Sequence, residues 1–391
     1  MQKHNNFYIK VETIVINQAS NNQWANKAPR IIIAGGGTGG HIFPAIAIAN
    51  AIRHNCAAAQ ILFVGALGKM EMEKVPEAGY SIEGLPIAGF NRISLVKNIR
   101  LPFLLLQSFF KVKQIFKKFK PQAVIGVGGY SSFPVLRYAQ SQNIATFIHE
   151  SNSFAGKSNM LLAKKATKVF VASDGMEQFF PKHKLVVTGN PVRKAIVEAT
   201  VDKKQARDFF QLNHDAITVL VVGGSLGAQS INKAIGQQIN VFREQHLQLI
   251  WQTGKATGSQ YTALASGHPN IWANEFISRM DMAYAAADIV VSRSGAMSVT
   301  ELCVVQKPTI FVPYPHAAED HQTVNALHLV NKQAALLVKD VDVEEQLVPT
   351  LVQLANNTLQ QQQFSSNMAA LAITNADERI AQIVLAHINQ L

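Results

Sequence analysis

Short β-branched apolar runs recur along the chain, each closed by a glycine or small polar residue and followed by a longer mixed stretch. One series comprises Arg30-Ile-Ile-Ile-Ala34, Ile61–Val64, the apolar run after Pro121, Ala145–Glu150, Lys168–Ala172 and Leu185–Val187. A second comprises Ile217–Val222, Leu247–Trp251, Ile271–Phe276, Asp288–Ser292, Thr309–Val312 and Ala334–Val338. Runs that are apolar throughout predict strands buried on both faces. The stretches between them, such as Pro44–His54 and Met297–Val305, have helical character, so the pattern predicts an α/β fold with parallel sheets.

The pattern starts twice. Arg30–Ala34 runs into the glycines of Gly35–Gly40 and a helix, and Ile217–Val222 runs into Gly223-Gly-Ser-Leu-Gly-Ala228 and a helix, an offset of 188 positions between Gly35 and Gly223. Gly189-Asn-Pro-Val-Arg193 punctuates the chain between them. Two Rossmann-like domains facing across a cleft follow, at residues 29–191 and 192–374, and 391 residues is too long for one ordinary core. Residues 1–28 read as a polar, asparagine-rich extension with a candidate strand at Tyr8–Ile16 and no signal-peptide core. Residues 375–391 read as an amphipathic helix expected to pack on the first domain.

Apolar content of 48% supports full-sized cores, and a net charge of +11 points to anionic partners: nucleic acid, anionic lipid or phosphorylated substrates. The two cysteines, Cys56 and Cys303, have no metal-site spacing and exclude a disulfide framework. No run of 18 apolar residues is present, so no membrane-spanning helix is expected. Residues 91–120 concentrate the charge: Arg92, Lys97, Arg100, Lys111, Lys113, Lys117, Lys118 and Lys120 occur there without an acid. Leu101, Phe103, Leu104, Phe109 and Phe110 lie among them. An apolar face rimmed by Lys111, Lys113, Lys117 and Lys118 suits docking on an anionic membrane; the alternative is a core-facing helix with a solvated basic face.

Candidate chemistry collects at the ends of the runs, where parallel sheets bind ligands. Gly35, Gly37 and Gly40 match a dinucleotide fingerprint, but the second strand ends in Gly65-Ala66 and not in a ribose-binding acid. No GK[ST] follows, which excludes a P-loop. His41 at the mouth of this loop is a candidate general base or, alternatively, a packed or capping residue. Asn152 sits in a loop at the same end of the sheet and could cap a helix. Ser294, Gly295 and Ala296 precede a helix whose N-terminus suits a phosphate. Glu301, about a turn further on, could accept hydrogen bonds from the vicinal hydroxyls of a ribose or be a solvated surface charge. Asp340-Val-Asp342 could hold a metal–nucleotide pair, but Asp342 directly before Val343–Ala355 reads better as a helix N-cap.

Six motifs stand in order: Gly36–His41, His149-Glu150 with Asn152, Gly189–Arg193, Gly223–Ala228, Ser294–Ala296 with Glu301, and Asp320-His-Gln322 with Asn325. Together, over roughly residues 30–390, they resemble the MurG family of peptidoglycan N-acetylglucosaminyltransferases, which have the GT-B fold. The resemblance implies inverting transfer of GlcNAc from UDP-GlcNAc to the MurNAc 4-hydroxyl of lipid I, an undecaprenyl-diphosphate-linked MurNAc-pentapeptide, giving lipid II. It implies that Ser225 and its neighbouring glycines hold the diphosphate, that the Ile277 backbone meets uracil, and that Glu301 binds the ribose. Ala296, Met297 and Ser298 would line the sugar–phosphate side, continued by Val299 and Thr300. Gln322 and Asn152 would hold GlcNAc hydroxyls, Arg193 would contact UDP, and Thr38, Gly39 and Gly40 would form the first-domain edge. His41 is the candidate base and Glu150 its rival. No cofactor, essential metal or nucleic acid is implied. The implied setting is the cytoplasmic face of the inner membrane, held peripherally, with cell-wall synthesis proteins as candidate partners. A UDP-GlcNAc 2-epimerase of the same fold, an NAD-dependent oxidoreductase and a non-catalytic nucleotide-sugar binder are the alternatives.

Overall fold

The structure is a computed structural model that describes residues 28–89, 99–224, 226–256 and 258–390. Tyr8–Ile16, Arg92, Lys97 and Ser225, named above, lie outside the described residues.

The first domain alternates strands and helices. In order they are β1 (Arg30–Ala34), α1 (Gly39–Asn55), β2 (Gln60–Ala66), α2 (Glu71–Glu77), β3 (Ser81–Leu85), α3 (Leu101–Phe119), β4 (Ala123–Gly126), α4 (Ser132–Ser141), β5 (Ala145–Glu150), α5 (Lys157–Ala163), β6 (Lys168–Val171) and β7 (Leu185–Val187). Its seven strands are parallel in the order β3-β2-β1-β4-β5-β6-β7. Ile31 and Ile33 point into a core with α1, while Ile32 and Ala34 point into a second core with α3 and α4. Helices on both faces explain why β1 has no polar alternation. β3 escapes the sequence reading because Ser81-Ile-Glu-Gly-Leu85 is a half-polar edge strand.

Helix α6 (Lys194–Val197) follows the linker. The second domain runs α7 (Lys203–Phe209), β8 (Thr218–Val222), α8 (Gln229–Gln237), α9 (Ile239–Glu244), β9 (Gln248–Gln252), α10 (Gly258–Ala265), β10 (Ile271–Asn274), α11 (Met280–Ala286), β11 (Ile289–Ser292), α12 (Ala296–Val304), β12 (Thr309–Phe311), α13 (His321–Asn331), β13 (Ala335–Leu337), α14 (Val343–Ala355) and α15 (Thr358–Leu371). Its parallel sheet has the order β10-β9-β8-β11-β12-β13. β10 stops at Asn274 and not at Phe276, whose side chain is 55% exposed.

The chain then returns. Helix α16 (Ala376–Asn389) buries Ile380, Ala381, Val384, Leu385 and Ile388 in the first domain's core beside α1. His387 meets Phe147 edge-on at 5.6 Å, and Asn55 Nδ2 donates to Glu378 Oε2 at 2.7 Å. The two crossings touch: Gly189 has φ +80, and a Cβ there would lie 2.8 Å from Ile373 Cβ.

Pro102 in its first turn starts α3. The helix buries Ser108, Val112, Ile115 and Phe116. Its opposite face exposes Phe103 (63%), Leu106 (55%) and Phe110 (61%). Leu101, Leu104 and Phe109 are half-buried, so the outward apolar stripe is narrower than the sequence suggests. Lys113, Lys117 and Lys118 are exposed, whereas Lys111 lies 3.6 Å from Glu83. Among the described residues no helix is long and apolar enough to cross a membrane.

Candidate active site

Strand order reverses between β1 and β4 in one sheet and between β8 and β11 in the other, and a parallel sheet opens a ligand crevice at such a point. The loops at these two points are the two halves of the candidate site.

In the first half, Gly35 to Gly37 leave β1, and Gly37 has φ +89. The Gly36 N–H donates to the Gly128 carbonyl at 3.2 Å, tying the loop after β1 to the loop after β4. Thr38 precedes α1 with an extended backbone, and its hydroxyl lies 3.2 Å from His41 Nδ1 in the first helical turn. Gly128 makes room for that ring: a Cβ there would stand 2.7 Å from His41 Nε2. Burial lowers the His41 pKa below 6.5, against the pull of Glu150, the Gly36 backbone and Glu71, while His321 adds to the lowering. The imidazole is therefore neutral at neutral pH and able to take a proton.

Glu150 is buried and fully engaged. Its Oε1 accepts from the Asn152 N–H at 3.2 Å and Asn152 Nδ2 at 3.3 Å; its Oε2 accepts from the Gly156 N–H at 3.1 Å and Asn159 Nδ2 at 2.8 Å. This carboxylate shapes the loop that carries Asn152. Asn152 Oδ1 in turn accepts from Asn325 Nδ2 of α13 at 3.3 Å, and Asn325 Oδ1 accepts from the Ser153 N–H at 2.9 Å. The two domains thus meet at Asn152 and Asn325.

In the second half, Gly223, Gly224, Leu226–Gln229, Ser292, Arg293, Gly295, Ser298, Tyr314–His316 and Gln322 line an open cleft of about 870 Å³. The N-termini of α8 and α12 border it, as an anionic ligand requires. Glu301, on α12, is 6% exposed and is no solvated surface charge. Arg193 Nε and Nη2 donate to its two oxygens, both at 2.8 Å, and the Tyr284 hydroxyl donates to Oε2 at 3.2 Å. Ile277 is buried, and its N–H donates to Gln252 Oε1 at 3.1 Å. Gln322 Oε1 accepts from the Tyr314 N–H at 3.0 Å, which turns its amide NH2 into the group left for a ligand.

Three expectations change. Ala296, Val299 and Thr300 turn away from the cleft toward the hinge, where Thr300 Oγ1 accepts from Asn190 Nδ2 at 2.9 Å. Asp340 is committed to Arg293, which donates to it at 2.5 Å, and to Ser230 at 2.6 Å, and so braces the cleft wall. Asp342 does precede α14, but its side chain makes no capping bond, because its φ of −99 and ψ of 2 are not the extended geometry a cap uses.

Sequence reading missed Glu71, Gln252 and Tyr284. Glu71 is 1% exposed, and its Oε2 and Oε1 accept from the Gly37 N–H at 2.8 Å and the Ala66 N–H at 2.9 Å. In the sequence it sits in the mixed stretch Glu71-Met-Glu-Lys74, which reads as a solvated helix start.

Comparison with known proteins bears on this geometry. The model of the glycosyltransferase family 28 N-terminal domain matches residues 31–171, and that of the C-terminal domain matches 218–382. The UDP-N-acetylglucosamine–N-acetylmuramyl-(pentapeptide) pyrophosphoryl-undecaprenol N-acetylglucosamine transferase of Bacteroides fragilis is 48% identical over 375 residues, covering 95% of this chain and 98% of that one. The crystal structure of Acinetobacter baumannii MurG superposes with a TM-score of 0.75 at 27% identity, over 92% of this chain and 99% of that one. A UDP-GlcNAc 2-epimerase from Neisseria meningitidis shares the fold, with a TM-score of 0.65 at 15% identity over 92% of this chain and 100% of that one.

Proposed function

The chain belongs to the MurG family within glycosyltransferase family 28, and from this premise we propose how its residues divide the work of the transfer. The enzyme moves GlcNAc from UDP-GlcNAc to the MurNAc-pentapeptide carried on undecaprenyl diphosphate, forming lipid II. The acceptor hydroxyl attacks the sugar carbon, UDP leaves from the opposite face, and the configuration inverts. His41 takes the hydroxyl proton. Glu150 holds the Asn152 loop and is not the base, since four donors already occupy its two oxygens.

The donor lies in the second-domain cleft. Glu301, fixed by Arg193 and Tyr284, faces the ribose, and uracil reaches the Ile277 backbone by competing with Gln252. The diphosphate sits on the N–H groups of the described residues of the Gly223–Ala228 loop and on the N-terminal ends of α8 and α12, while Arg193, whose Nε and Nη2 both donate to Glu301, acts through that carboxylate. Preorganised N–H donors of this kind stabilise the charge that develops on the leaving group. Gln322 and Asn152 hold the sugar. Thr38, Gly39 and Gly40 form the acceptor edge beside His41.

The observation that supports this reading most is the Asn152–Asn325 bond at 3.3 Å, which joins the loop held by Glu150 in the first domain to α13 in the second. Membrane contact belongs to α3: Phe103, Leu106 and Phe110 enter the interface while Lys113, Lys117 and Lys118 meet anionic headgroups, peripherally on the cytoplasmic face of the inner membrane. The test is the product. Incubating the enzyme with UDP-GlcNAc and a lipid I analogue should give one lipid-linked disaccharide with inverted anomeric configuration by NMR. A retained configuration, or an isomerised nucleotide sugar, would overturn the assignment.

A further inference from the structure

We propose that Glu71 is a positioning residue of the transfer reaction: its buried carboxylate fixes the glycine loop that sets His41, and its negative charge supports the imidazolium formed when His41 takes the acceptor proton. This rests on His41 being the base.

The geometry is specific. Glu71 opens α2 directly beneath the loop after β1. Its two oxygens are shared between two segments: the Gly37 N–H on the loop and the Ala66 N–H at the end of β2. One side chain thus ties the glycine turn to the sheet from which it projects. The turn in turn requires glycine, because a Cβ at Gly36 would lie 2.3 Å from the Glu71 carboxyl carbon. A buried carboxylate holding two backbone N–H groups is expensive to place, and apolar packing alone could fill the space beneath a loop. Its charge is what a leucine or methionine there would lack.

That charge acts on His41. The groups facing the imidazole are Glu71 from α2, Glu150 and His149 from β5, and His321 from α13. The two carboxylates raise its proton affinity, while burial and His321 lower it. Glu150 spends its oxygens on the Asn152 loop and Glu71 on the Gly37 loop, so each carboxylate both shapes one loop and contributes field at the same ring. As the acceptor hydroxyl is deprotonated, the O–H bond breaks, the proton bonds to the imidazole, and the new positive charge forms in a desolvated site. A fixed anion there is worth more than in water and needs no reorganisation.

Glu71→Gln keeps the size and removes the charge, together with one of the two accepted N–H bonds, since a carboxamide NH2 only donates. We expect its kcat to fall roughly tenfold to a hundredfold, with KM for UDP-GlcNAc unchanged because Glu71 bonds to Gly37 and Ala66 and to none of the groups that hold the donor. The acid limb of its kcat–pH profile should move to lower pH, by about half a unit or more. Glu71→Asp keeps the charge and shortens the reach; it should lose kcat but retain the wild-type limb. Combined with His41→Ala, Glu71→Gln should cost nothing further, since residues acting through one group are not additive. A Glu71→Gln enzyme with wild-type kcat and pH limb, beside an inactive His41→Ala, would overturn the role of Glu71 alone. A loss of kcat with an unmoved limb would reduce Glu71 to a loop anchor and overturn its electrostatic part. An active His41→Ala would overturn the base assignment on which both rest.

Discussion

At the scale of single residues, histidines of opposite use lie close together. His41 sits at a helix start with glycine around its ring, and burial keeps it neutral. His41→Ala should lower kcat by about 10²- to 10⁴-fold, the usual yield of general base catalysis, and leave KM for UDP-GlcNAc within a few-fold. Steady-state kinetics at saturating acceptor reads both. His149, on the end of β5, is 1% exposed, and neither ring nitrogen makes a well-formed hydrogen bond. Burial lowers its pKa to about 4, opposed by the nearby Gly189 backbone and Asn190 side chain. The unfolded chain therefore binds a proton that the folded chain refuses. Stability is complete above pH 6.5 and declines as pH falls toward 4, by about 1.4 kcal/mol per unit within that window. Thermal melts should show this slope in the wild type and a flatter one in His149→Gln.

At the scale of elements, legibility follows burial. The runs at Arg30–Ala34 and Thr218–Val222 announce themselves because both faces of each strand are covered. β3 does not, because an edge strand tolerates Ser81 and Glu83. The glycine loops and the helix starts after them were equally plain, and they place the site. What supports the site was not plain: Glu71, Gln252 and Tyr284 act through partners distant in sequence, such as Gly37 at 34 positions and Ile277 at 25. No local spacing encodes such pairs. Val299 and Thr300 show a related limit, since one helix turns Ser298 to the cleft and its next two residues to the hinge. Helix α3 is the intermediate case, because its composition offers a membrane-docking face or a core-facing one and does not say which residues are exposed. Replacing Phe103, Leu106 and Phe110 with serine should abolish most sedimentation with vesicles containing anionic lipid while leaving the fold intact, because these side chains are exposed. Wild-type binding should weaken as salt rises. Unchanged sedimentation of the triple variant would place membrane contact elsewhere.

At the scale of the molecule, the two domains are joined by two crossings and by polar contacts beside the site. Asn190 in the first crossing donates to Ser151 O at 3.0 Å and to Thr300 at 2.9 Å, so one linker residue holds both domains. In the proposed reaction the acceptor edge and the donor cleft belong to different domains, and the chemistry needs them together. In that proposed reaction, charge on the leaving diphosphate is met by helix ends and loop N–H groups, and Asp340 is committed to Arg293 and Ser230. Turnover in excess EDTA should accordingly equal turnover without it, as an acceptor-dependent UDP assay would record.

The central claim is a transfer that requires both substrates and the His41 base. Its most direct test is UDP release from UDP-GlcNAc with and without a lipid I analogue, in the wild type and in His41→Ala. Release is expected only with acceptor, with a fall of at least about a hundredfold in the variant. Release that is equally fast without acceptor would contradict it.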